Sequence, residues 1–229
     1  MGGAIAIIPV KRFGAAKQRL LEALDRRGRV ALVGAMLADV LAAVRRAEQV
    51  DWVIVVTGER RAERIALRRA PGAGVGLEIL RDPKDLGHSQ AATLGIVRAR
   101  ALGAECAVLL PGDCPLLDPA ELDAALRRQR SGRVAIVPDR HGTGTNALLL
   151  APPNAIGPAF GPDSCARHAQ RARRAGLAVE IERLDSLGLD LDTPADLDEL
   201  TATLEREPDL APQTAGELER SGRLRSRAS

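Results

Sequence analysis

The strongest constraint on the fold is a series of short apolar segments that alternate with stretches of helical spacing. Several of these segments are unbroken apolar runs, which are typical of strands buried on both faces of a sheet. They span residues 4–10, 52–57, 77–80, 106–110, 134–138, 147–150 and 179–184. The helical patterns span residues 16–24, 29–46, 60–70, 89–102, 119–130, 164–175 and 194–205. Such alternation favours βαβ units and a parallel sheet covered by helices.

One pair of strand-like segments departs from this alternation. Only the polar, glycine-containing residues 139–146 separate the strand predicted at 134–138 from the one at 147–150. A parallel connection needs a longer crossover, so we expect a hairpin or a loop excursion here. The predicted fold class is therefore α/β, with three layers (α/β/α) and a mixed, mostly parallel sheet.

The composition indicates one domain and argues against nucleic-acid binding. A chain of 229 residues with 45% hydrophobic content can bury one substantial core. Its 33 basic and 30 acidic residues nearly balance, and two Phe, one Trp and no Tyr offer no platform for stacking bases. Polar and charged residues dominate beyond residue 204, so we expect a single domain over 1–204 and a disordered tail over 205–229.

Neither the cysteines nor the apolar start of the chain indicates an extracellular or membrane protein. Cys106, Cys114 and Cys165 are far apart, which fits neither a zinc site nor a disulfide framework. The apolar start ends at Pro9 and Lys11, well short of the roughly 20 residues that a membrane span needs. We therefore expect a cytoplasmic protein with no membrane partner.

Asp113 follows the apolar segment 106–110, at the point where Pro111 and Gly112 break the strand. In open α/β sheets, ligands bind in the crevice outside the carboxyl ends of the strands. A carboxylate there is expected beside a metal-bound phosphate. An Asx-type hydrogen bond that only stabilises the turn explains Asp113 equally well.

A second pair of carboxylates lies near the end of the predicted domain. In an extended segment, Asp190 and Asp192 project from the same side of the chain. Asp192 precedes Thr193 and Pro194 and so has a structural alternative at a helix start, which Asp190 lacks. If Asp190 meets Asp113 across a cleft, the two carboxylates could bridge Mg²⁺, which prefers oxygen ligands and retains substrate phosphates.

The loop after the first predicted strand is rich in cations. Lys11, Arg12, Lys17 and Arg19 surround Gly14, close to a predicted helix start. Free backbone N–H groups and cations together would hold a triphosphate. The loop has no Gly-Lys-Ser/Thr and is not a Walker loop. Basic residues in a first helical turn are often only surface residues, but they oppose the helix dipole, and an anionic ligand would offset that cost.

The loop 81–92 leads from a predicted strand into a predicted helix. Gly87 allows a ligand to approach the backbone closely, and Ser89 or Gln90 could hydrogen-bond a base edge. Capping of the helix explains Ser89 at least as well. No nucleophile motif accompanies His88, so we assign it no catalytic role.

Two glycine-containing turns are candidates for binding a phosphate or a carboxylate. The turn 142–146 carries Thr145 beside exposed N–H groups, although an ordinary hairpin tip has the same pattern. The second turn contains Gly161 and Ser164 at a predicted helix start, where anions bind readily. Capping alone would explain Asp163 and Ser164 as well.

Residues 7–194 resemble the phosphoenolpyruvate/2-phospho-L-lactate guanylyltransferases of coenzyme F-420 biosynthesis. The stretches that carry the resemblance are 142–145, 160–164 with 166–168, and 190–194. It implies a nucleotide-diphospho-sugar-transferase-like, Rossmann-like fold, GTP as co-substrate, Mg²⁺, and a three-carbon phospho-acid as acceptor. The composition of the chain favours phosphoenolpyruvate over 2-phospho-L-lactate as that acceptor.

Carried over residue by residue, the resemblance implies a role for each of the positions above. The residues implied in catalysis are Asp113, Asp190 and Lys17, and the metal ligands are Asp113 and Asp190 with Asp192 close by. The nucleotide-binding residues are Lys11, Lys17, Arg19 and Gly87, and the acceptor-binding residues are Thr145, Gly161 and Ser164. The chain departs from many relatives at 86–90, where Leu-Gly-His-Ser-Gln replaces Gly-Leu-Asn followed by small residues.

The implied reaction is an in-line attack of an acceptor phosphate oxygen on the α-phosphorus of GTP, with release of pyrophosphate. Such a reaction needs positioning and charge neutralisation but no protein nucleophile. Two alternatives remain: another small-molecule nucleotidyltransferase of the same fold, and a nucleotide-binding partner protein without turnover. A partnership with the enzyme that passes the labile product on to the deazaflavin is a further expectation.

Overall fold

The structure is a computed structural model, and it describes residues 3–68, 74–85 and 87–225. The strands are β1 (Ala4–Val10), β2 (Val50–Thr57), β3 (Gly76–Arg81), β4 (Ala107–Leu109), β5 (Arg133–Pro138), β6 (Thr145–Ala151) and β7 (Ala178–Ile181). The helices are α1 (Arg26–Arg46), α2 (Arg60–Arg68), α3 (His88–Ala101), α4 (Pro119–Arg127), α5 (Ser164–Arg174), α6 (Pro194–Arg206) and α7 (Pro212–Arg220). In the described part of the chain, no helix combines the length and the apolar character needed to cross a lipid bilayer.

The strands form one seven-stranded sheet in the order β3-β2-β1-β4-β6-β5-β7. Strand β6 is antiparallel to both of its neighbours, whereas the other pairs of neighbours are parallel. From β1 the chain moves outward through β2 and β3, and then returns to the other side of β1 at β4. The switch point of the sheet therefore lies between the carboxyl ends of β1 and β4, where ligands bind in open α/β sheets.

The sheet is covered on both faces, because successive side chains of a strand point to opposite sides. In β1, Ile8 packs into a core cluster with residues of α1, α2, α4, α6 and α7, while Ile7 packs into a second cluster with residues of α3 and α5. Both isoleucines are 0% exposed. The expected three-layer α/β/α fold with a mixed, mostly parallel sheet is confirmed, as is the hairpin formed by β5 and β6.

One predicted helix is absent. Residues 16–24 do not form an α-helix; the chain instead makes two short 3-10 turns, Phe13–Ala15 and Gln18–Glu22. Lys17, between them, has φ of 55°, and a right-handed helix cannot continue through a left-handed residue. The helix predicted over 60–70 is present as α2 up to Arg68, and its last two residues lie outside the described part of the chain.

The prediction of a disordered tail over 205–229 was wrong for residues up to 225. Helix α7 packs against α1, and its N-terminus is held by Asp39 of that helix. The Asp39 carboxylate accepts hydrogen bonds from the backbone N–H of Gln213 and Thr214 and from the Thr214 hydroxyl, at 2.7–3.1 Å. The apolar side chains that bury this segment are Ala211, Ala215, Leu218 and Leu224. The remaining predicted tail residues, 226–229, lie outside the described residues.

Candidate active site

Lys17 connects two loops at the switch point of the sheet. Its ammonium group pairs with the carboxylate of Asp113, in the loop after β4, and lies 2.6 Å from Oδ1 of Asp192. The Lys17 side chain is only 8% exposed. Burial alone would lower the pKa of Lys17, but the charges of Asp113 and Asp192 outweigh burial and raise it. Lys17 therefore carries a full positive charge at neutral pH.

The loop after β1 is bent into place by a buried arginine. Arg29 of α1 is 2% exposed, and its guanidinium donates to the backbone carbonyls of Gly14 and Ala16. These carbonyls belong to residues one and three positions before Lys17, which has a left-handed backbone and pairs with Asp113. Because each bond is made to the backbone, Arg29 determines the path of the loop and leaves the Lys17 ammonium free to face the carboxylates.

Asp190 lies in the same cluster of charges. The backbone N–H of Leu191 donates to the carbonyl of Asp113 at 3.4 Å, so the 190–192 segment runs along the loop after β4. Burial raises the pKa of Asp190, and the neighbouring charges of Asp113 and Asp192 raise it further. Burial would also raise the pKa of Asp113, but Lys17 outweighs it and lowers that pKa. The cluster thus holds more negative charge than Lys17 alone neutralises.

Asp192 is not the cap of helix α6. Thr193 is the N-cap residue, and it forms a capping box with Asp196. The Asp196 carboxylate accepts hydrogen bonds from the backbone N–H of Asp192 at 2.9 Å and of Thr193 at 2.6 Å, and it pairs with Arg140 from the β5–β6 hairpin. Asp196 therefore fixes the backbone at Asp192, whose side chain is free to face Lys17.

The chemistry of the carboxylates suits Mg²⁺. Asp113, Asp190 and Asp192 present oxygen donors, which this ion prefers, and their excess negative charge would be offset by a divalent cation. Among the described residues, no group of three or more His, Cys, Asp or Glu side chains is placed to hold a metal ion by itself. A Mg²⁺ ion in this cluster would therefore depend on substrate phosphates and water for its other ligands, as is usual for this ion.

The predicted nucleotide-binding residues are only partly brought together. Gly87 precedes the first residue of α3 and has φ of 104°, a conformation that favours glycine. His88 follows it, and burial lowers the pKa of His88 to about 4, with Lys11 and Lys17 contributing to the decrease and Asp113 opposing it. Lys11 and Gly87 therefore adjoin the charge cluster. Arg19 is exposed, and no hydrogen bond or ion pair among the described residues joins it to the others.

The predicted acceptor-binding residues meet at the start of α5. Thr145 is the first residue of β6, and its hydroxyl lies 3.0 Å from Nδ1 of His168 in α5. Ser164 begins α5, and its backbone N–H donates to the carbonyl of Gly161, which has φ of 112°. Asp163 occupies the N-cap position but makes no capping hydrogen bond with its side chain. Capping thus does not explain Asp163, and the start of α5 has no side-chain cap.

The backbone of the loop before α5 is held by side chains of α5 itself. Arg167 donates to the carbonyls of Ala159 and Phe160, and Arg171 donates to those of Gly157 and Pro158. Sequence reasoning missed both of these roles. The sequence indicated these roles only in that Arg167 lies within the 166–168 stretch. A contact with a backbone carbonyl requires no particular residue type at the carbonyl, so it cannot be recognised from the sequence.

Phe160 joins the acceptor side of the site to the nucleotide side. Its backbone N–H donates to the Ser89 hydroxyl at 3.0 Å, so the alternative in which Ser89 caps α3 was wrong. The Phe160 ring makes edge contacts with His88, at a centroid distance of 4.6 Å, and with His168, at 5.2 Å. Sequence reasoning gave no role to these two histidines, although the structure places both at the site.

The family comparison identifies the class of protein to which this fold and its charge cluster belong, the nucleotidyltransferases. The family model described as guanylyl transferase CofC like matches residues 4–205. The chain belongs to this family.

Curated relatives align over nearly the whole chain. The phosphoenolpyruvate guanylyltransferase of Conexibacter woesei is 48% identical over 215 residues, covering 93% of this chain and 94% of the relative. That of Sphaerobacter thermophilus is 40% identical over 196 residues, covering 86% of this chain and 91% of the relative. A solved structure from Desulfovibrio desulfuricans, provisionally assigned as a nucleotide-diphospho-sugar transferase, superposes with a TM-score of 0.74 at 18% identity, covering 97% of this chain and 96% of that one. This superposition supports the three-layer α/β/α fold described above.

Proposed function

We propose that the protein transfers GMP from GTP to phosphoenolpyruvate, with release of pyrophosphate, in the biosynthesis of coenzyme F-420. The observation that carries the proposal is the contact of Lys17 with Asp113 and Asp192 at the switch point of the sheet. The relatives at 48% and 40% identity are named for the same activity. Because GTP and phosphoenolpyruvate are metabolites of the cytoplasm, we place the reaction in that compartment.

The nucleotide side of the proposed site is the loop after β1 together with the start of α3. Lys11 and Lys17 supply positive charge for the triphosphate, and Arg19, exposed on the 3-10 turn after Lys17, is a further cation of this loop. Gly87 lets the nucleotide approach the backbone without a side chain in the way. Asp113 and Asp190, with Asp192 beside them, would hold Mg²⁺, which when bound neutralises charge on the phosphates.

The acceptor side is the turn between β5 and β6 together with the start of α5. Phosphoenolpyruvate carries a phosphate and a carboxylate, both of which are strong hydrogen-bond acceptors. The positive end of the α5 helix dipole attracts such anions, while the N–H groups of Ser164 and Cys165 already donate to the carbonyls of Gly161 and Thr143. Gly161 has no side chain to obstruct the acceptor, and Thr145 and Ser164 each carry a hydroxyl group.

The reaction needs no protein nucleophile. A phosphate oxygen of the acceptor attacks the α-phosphorus of GTP, a new phosphorus–oxygen bond forms, and the bond from the α-phosphorus to the bridging oxygen breaks as pyrophosphate leaves. The acceptor phosphate is largely ionised near neutral pH, since its second pKa lies at about 6, so no base is required. The protein aligns the two substrates, and Lys17 offsets charge that develops on the triphosphate.

The direct test is a matrix of substrates. The purified protein is incubated with GTP, ATP, CTP or UTP, each with phosphoenolpyruvate, 2-phospho-L-lactate or 3-phosphoglycerate. Pyrophosphate release and the mass of the product are then measured. We expect turnover with GTP and phosphoenolpyruvate, and a product with the mass of the guanosine diphosphate ester. GTP consumption that is indifferent to every phospho-acid would contradict the proposal.

An equal mixture of the three acceptors with GTP tests the choice of acceptor more sharply. The product of phosphoenolpyruvate should dominate the mass spectrum. If a different product dominates, guanylyl transfer is supported but phosphoenolpyruvate is not the preferred acceptor. The product is labile, so we also propose that it passes to the downstream deazaflavin transferase by direct contact.

A further inference from the structure

The position of the proton on His168 follows from its two hydrogen bonds. The backbone N–H of Ala159 lies 2.8 Å from His168 Nε2. A backbone N–H can only donate, so Nε2 must be the unprotonated, accepting nitrogen. A neutral imidazole then carries its single proton on Nδ1. Nδ1 lies 3.0 Å from the hydroxyl oxygen of Thr145, and the Nδ1–H group therefore donates to that oxygen.

This direction of donation decides what the Thr145 hydroxyl can do. Its oxygen accepts from His168, so its own hydrogen points away from the imidazole. Among the described residues, no protein acceptor for that hydrogen is found. Thr145 is only partly buried and lies where β6 begins, beside the turn before α5. The hydrogen of the Thr145 hydroxyl is therefore available to donate to a ligand beside that turn.

The surroundings of His168 keep its imidazole neutral and fix its position. The imidazole is 0% exposed and packs edge-on against Phe160. Burial lowers the pKa of His168 to about 4, and the cations of Arg171 and Arg167 lower it as well. Both arginines are held in place by carbonyls of the loop before α5. A protonated imidazole would also lose the hydrogen bond from Ala159, because Nε2 would no longer accept.

We propose that His168 is a positioning residue which fixes the Thr145 hydroxyl as a hydrogen-bond donor to an anionic oxygen of the acceptor. The inference rests on the proposed function, because it assigns the acceptor to the turn beside Thr145. His168 does not touch the reacting atoms. It acts through Thr145, and its effect is on the affinity for the phospho-acid and not for the nucleotide.

Two substitutions separate the two hydrogen bonds of His168. In His168→Asn, the side-chain amide can present an N–H near the place of Nδ1 but has no acceptor at the place of Nε2. In His168→Gln, the amide oxygen can reach the place of Nε2, but nothing donates to Thr145. The variant Gln170→Ala is a matched control, because Gln170 is exposed on the same helix as His168.

The expected result is a difference between these variants in the KM for phosphoenolpyruvate. A lost hydrogen bond to a charged group weakens binding roughly tenfold to a hundredfold, so His168→Gln and Thr145→Val should each raise this KM by about that factor. His168→Asn should raise it less than about threefold, with the KM for GTP unchanged in all. In the Thr145→Val background, His168→Gln should add no further loss. Equal effects of His168→Asn and His168→Gln, or full additivity with Thr145→Val, would overturn the inference.

A readout that does not depend on turnover is the tautomer of His168. Nitrogen NMR of the histidine-labelled protein, with the spectrum of His168→Gln to assign the resonance, should show a proton on Nδ1 and none on Nε2. A proton on Nε2 would overturn the inference even in a fully active enzyme. Conversely, a proton on Nδ1 in a protein that fails to use any phospho-acid would reject the proposed function and the acceptor contact with it.

Discussion

The ammonium nitrogen of Lys17 lies 2.6 Å from Oδ1 of Asp192, a residue 175 positions later in the chain. The same nitrogen pairs with Asp113, so one side chain links the carboxyl ends of β1 and β4 to the segment before α6. A charged group with a side chain only 8% exposed is costly to bury unless it is paired. The two carboxylates satisfy that requirement and keep the lysine charged.

Removing the charge of Lys17 should abolish most of the activity without unfolding the loop. Lys17→Asn is the suitable change, because asparagine tolerates the left-handed backbone found at this position. Loss of one electrostatic contact to the reacting phosphates typically costs roughly 10²–10³ in kcat. Steady-state kinetics of pyrophosphate release would measure this. Arg173→Ala, an exposed change on α5, should leave kcat unchanged, and retention of most activity by Lys17→Asn would contradict its role.

Asp196 should matter for stability and for activity alike. Its carboxylate accepts from the backbone of Asp192 and Thr193 and pairs with Arg140. Hydrogen bonds to a buried charge are worth about 1.5–3 kcal/mol each, so Asp196→Ala should lower the free energy of unfolding by several kcal/mol. Asp198→Ala on the same helix is the control, since the Asp198 side chain is 76% exposed. Similar urea-unfolding curves for the two variants would refute the assignment.

The stability of the protein should decrease as the pH falls below about 6.5, partly through His168. Burial, with help from Arg171 and Arg167, lowers its pKa from 6.5 to about 4 in the folded protein. Between those values the unfolded chain binds a proton that the folded protein does not, so falling pH favours unfolding. For one histidine the slope is at most about 1.4 kcal/mol per pH unit. Above about pH 6.5, this residue contributes no pH dependence.

Urea unfolding of the wild type and of His168→Gln over that range isolates this contribution. The difference in unfolding free energy between the two proteins should shrink as the pH falls from about 6.5 to about 4. His141→Gln should keep the wild-type dependence, because that side chain is exposed. A parallel pH dependence of wild type and His168→Gln would show that His168 titrates normally.

The C-terminal helix should contribute measurably to stability. Leu218 of α7 is 1% exposed, whereas Leu210, just before that helix, is 44% exposed. Truncation of a buried leucine costs about 2–5 kcal/mol, so Leu218→Ala should lower the unfolding free energy by that amount. Leu210→Ala should change it by less than about 0.5 kcal/mol. An equal effect of the two changes would mean that α7 is not docked on α1 in solution.

Much of the fold could be predicted from the sequence because its strands are strongly apolar. The unbroken runs in β1 and β4 indicate a sheet covered on both faces, and Asp113 lies just beyond the Pro-Gly break that ends the second run. The position of Asp113 at the carboxyl end of a strand was therefore foreseeable. Helix α7 was not, because it buries few apolar side chains and depends on Asp39, a single carboxylate within α1.

The contacts that shape the site could not be predicted, because they join distant residues of ordinary type. No sequence pattern near Lys17 indicates its left-handed backbone or the hydrogen bonds that Arg29 donates to the carbonyls before it. Ser89 has the sequence signature of a helix cap, yet its hydroxyl accepts from Phe160, 71 residues away. Asp192 likewise precedes a Thr-Pro helix start, but Thr193 is the cap.

The most direct test of the central claim, that the carboxylate cluster at the switch point is the transfer centre, is the variant Asp113→Asn. Pyrophosphate release from GTP and phosphoenolpyruvate would be compared with GTP binding measured without Mg²⁺, using Asp198→Asn as the control. We expect turnover to fall by about a hundredfold or more while metal-free GTP binding stays within about threefold of the wild type. Turnover within about threefold of the wild type would contradict the account.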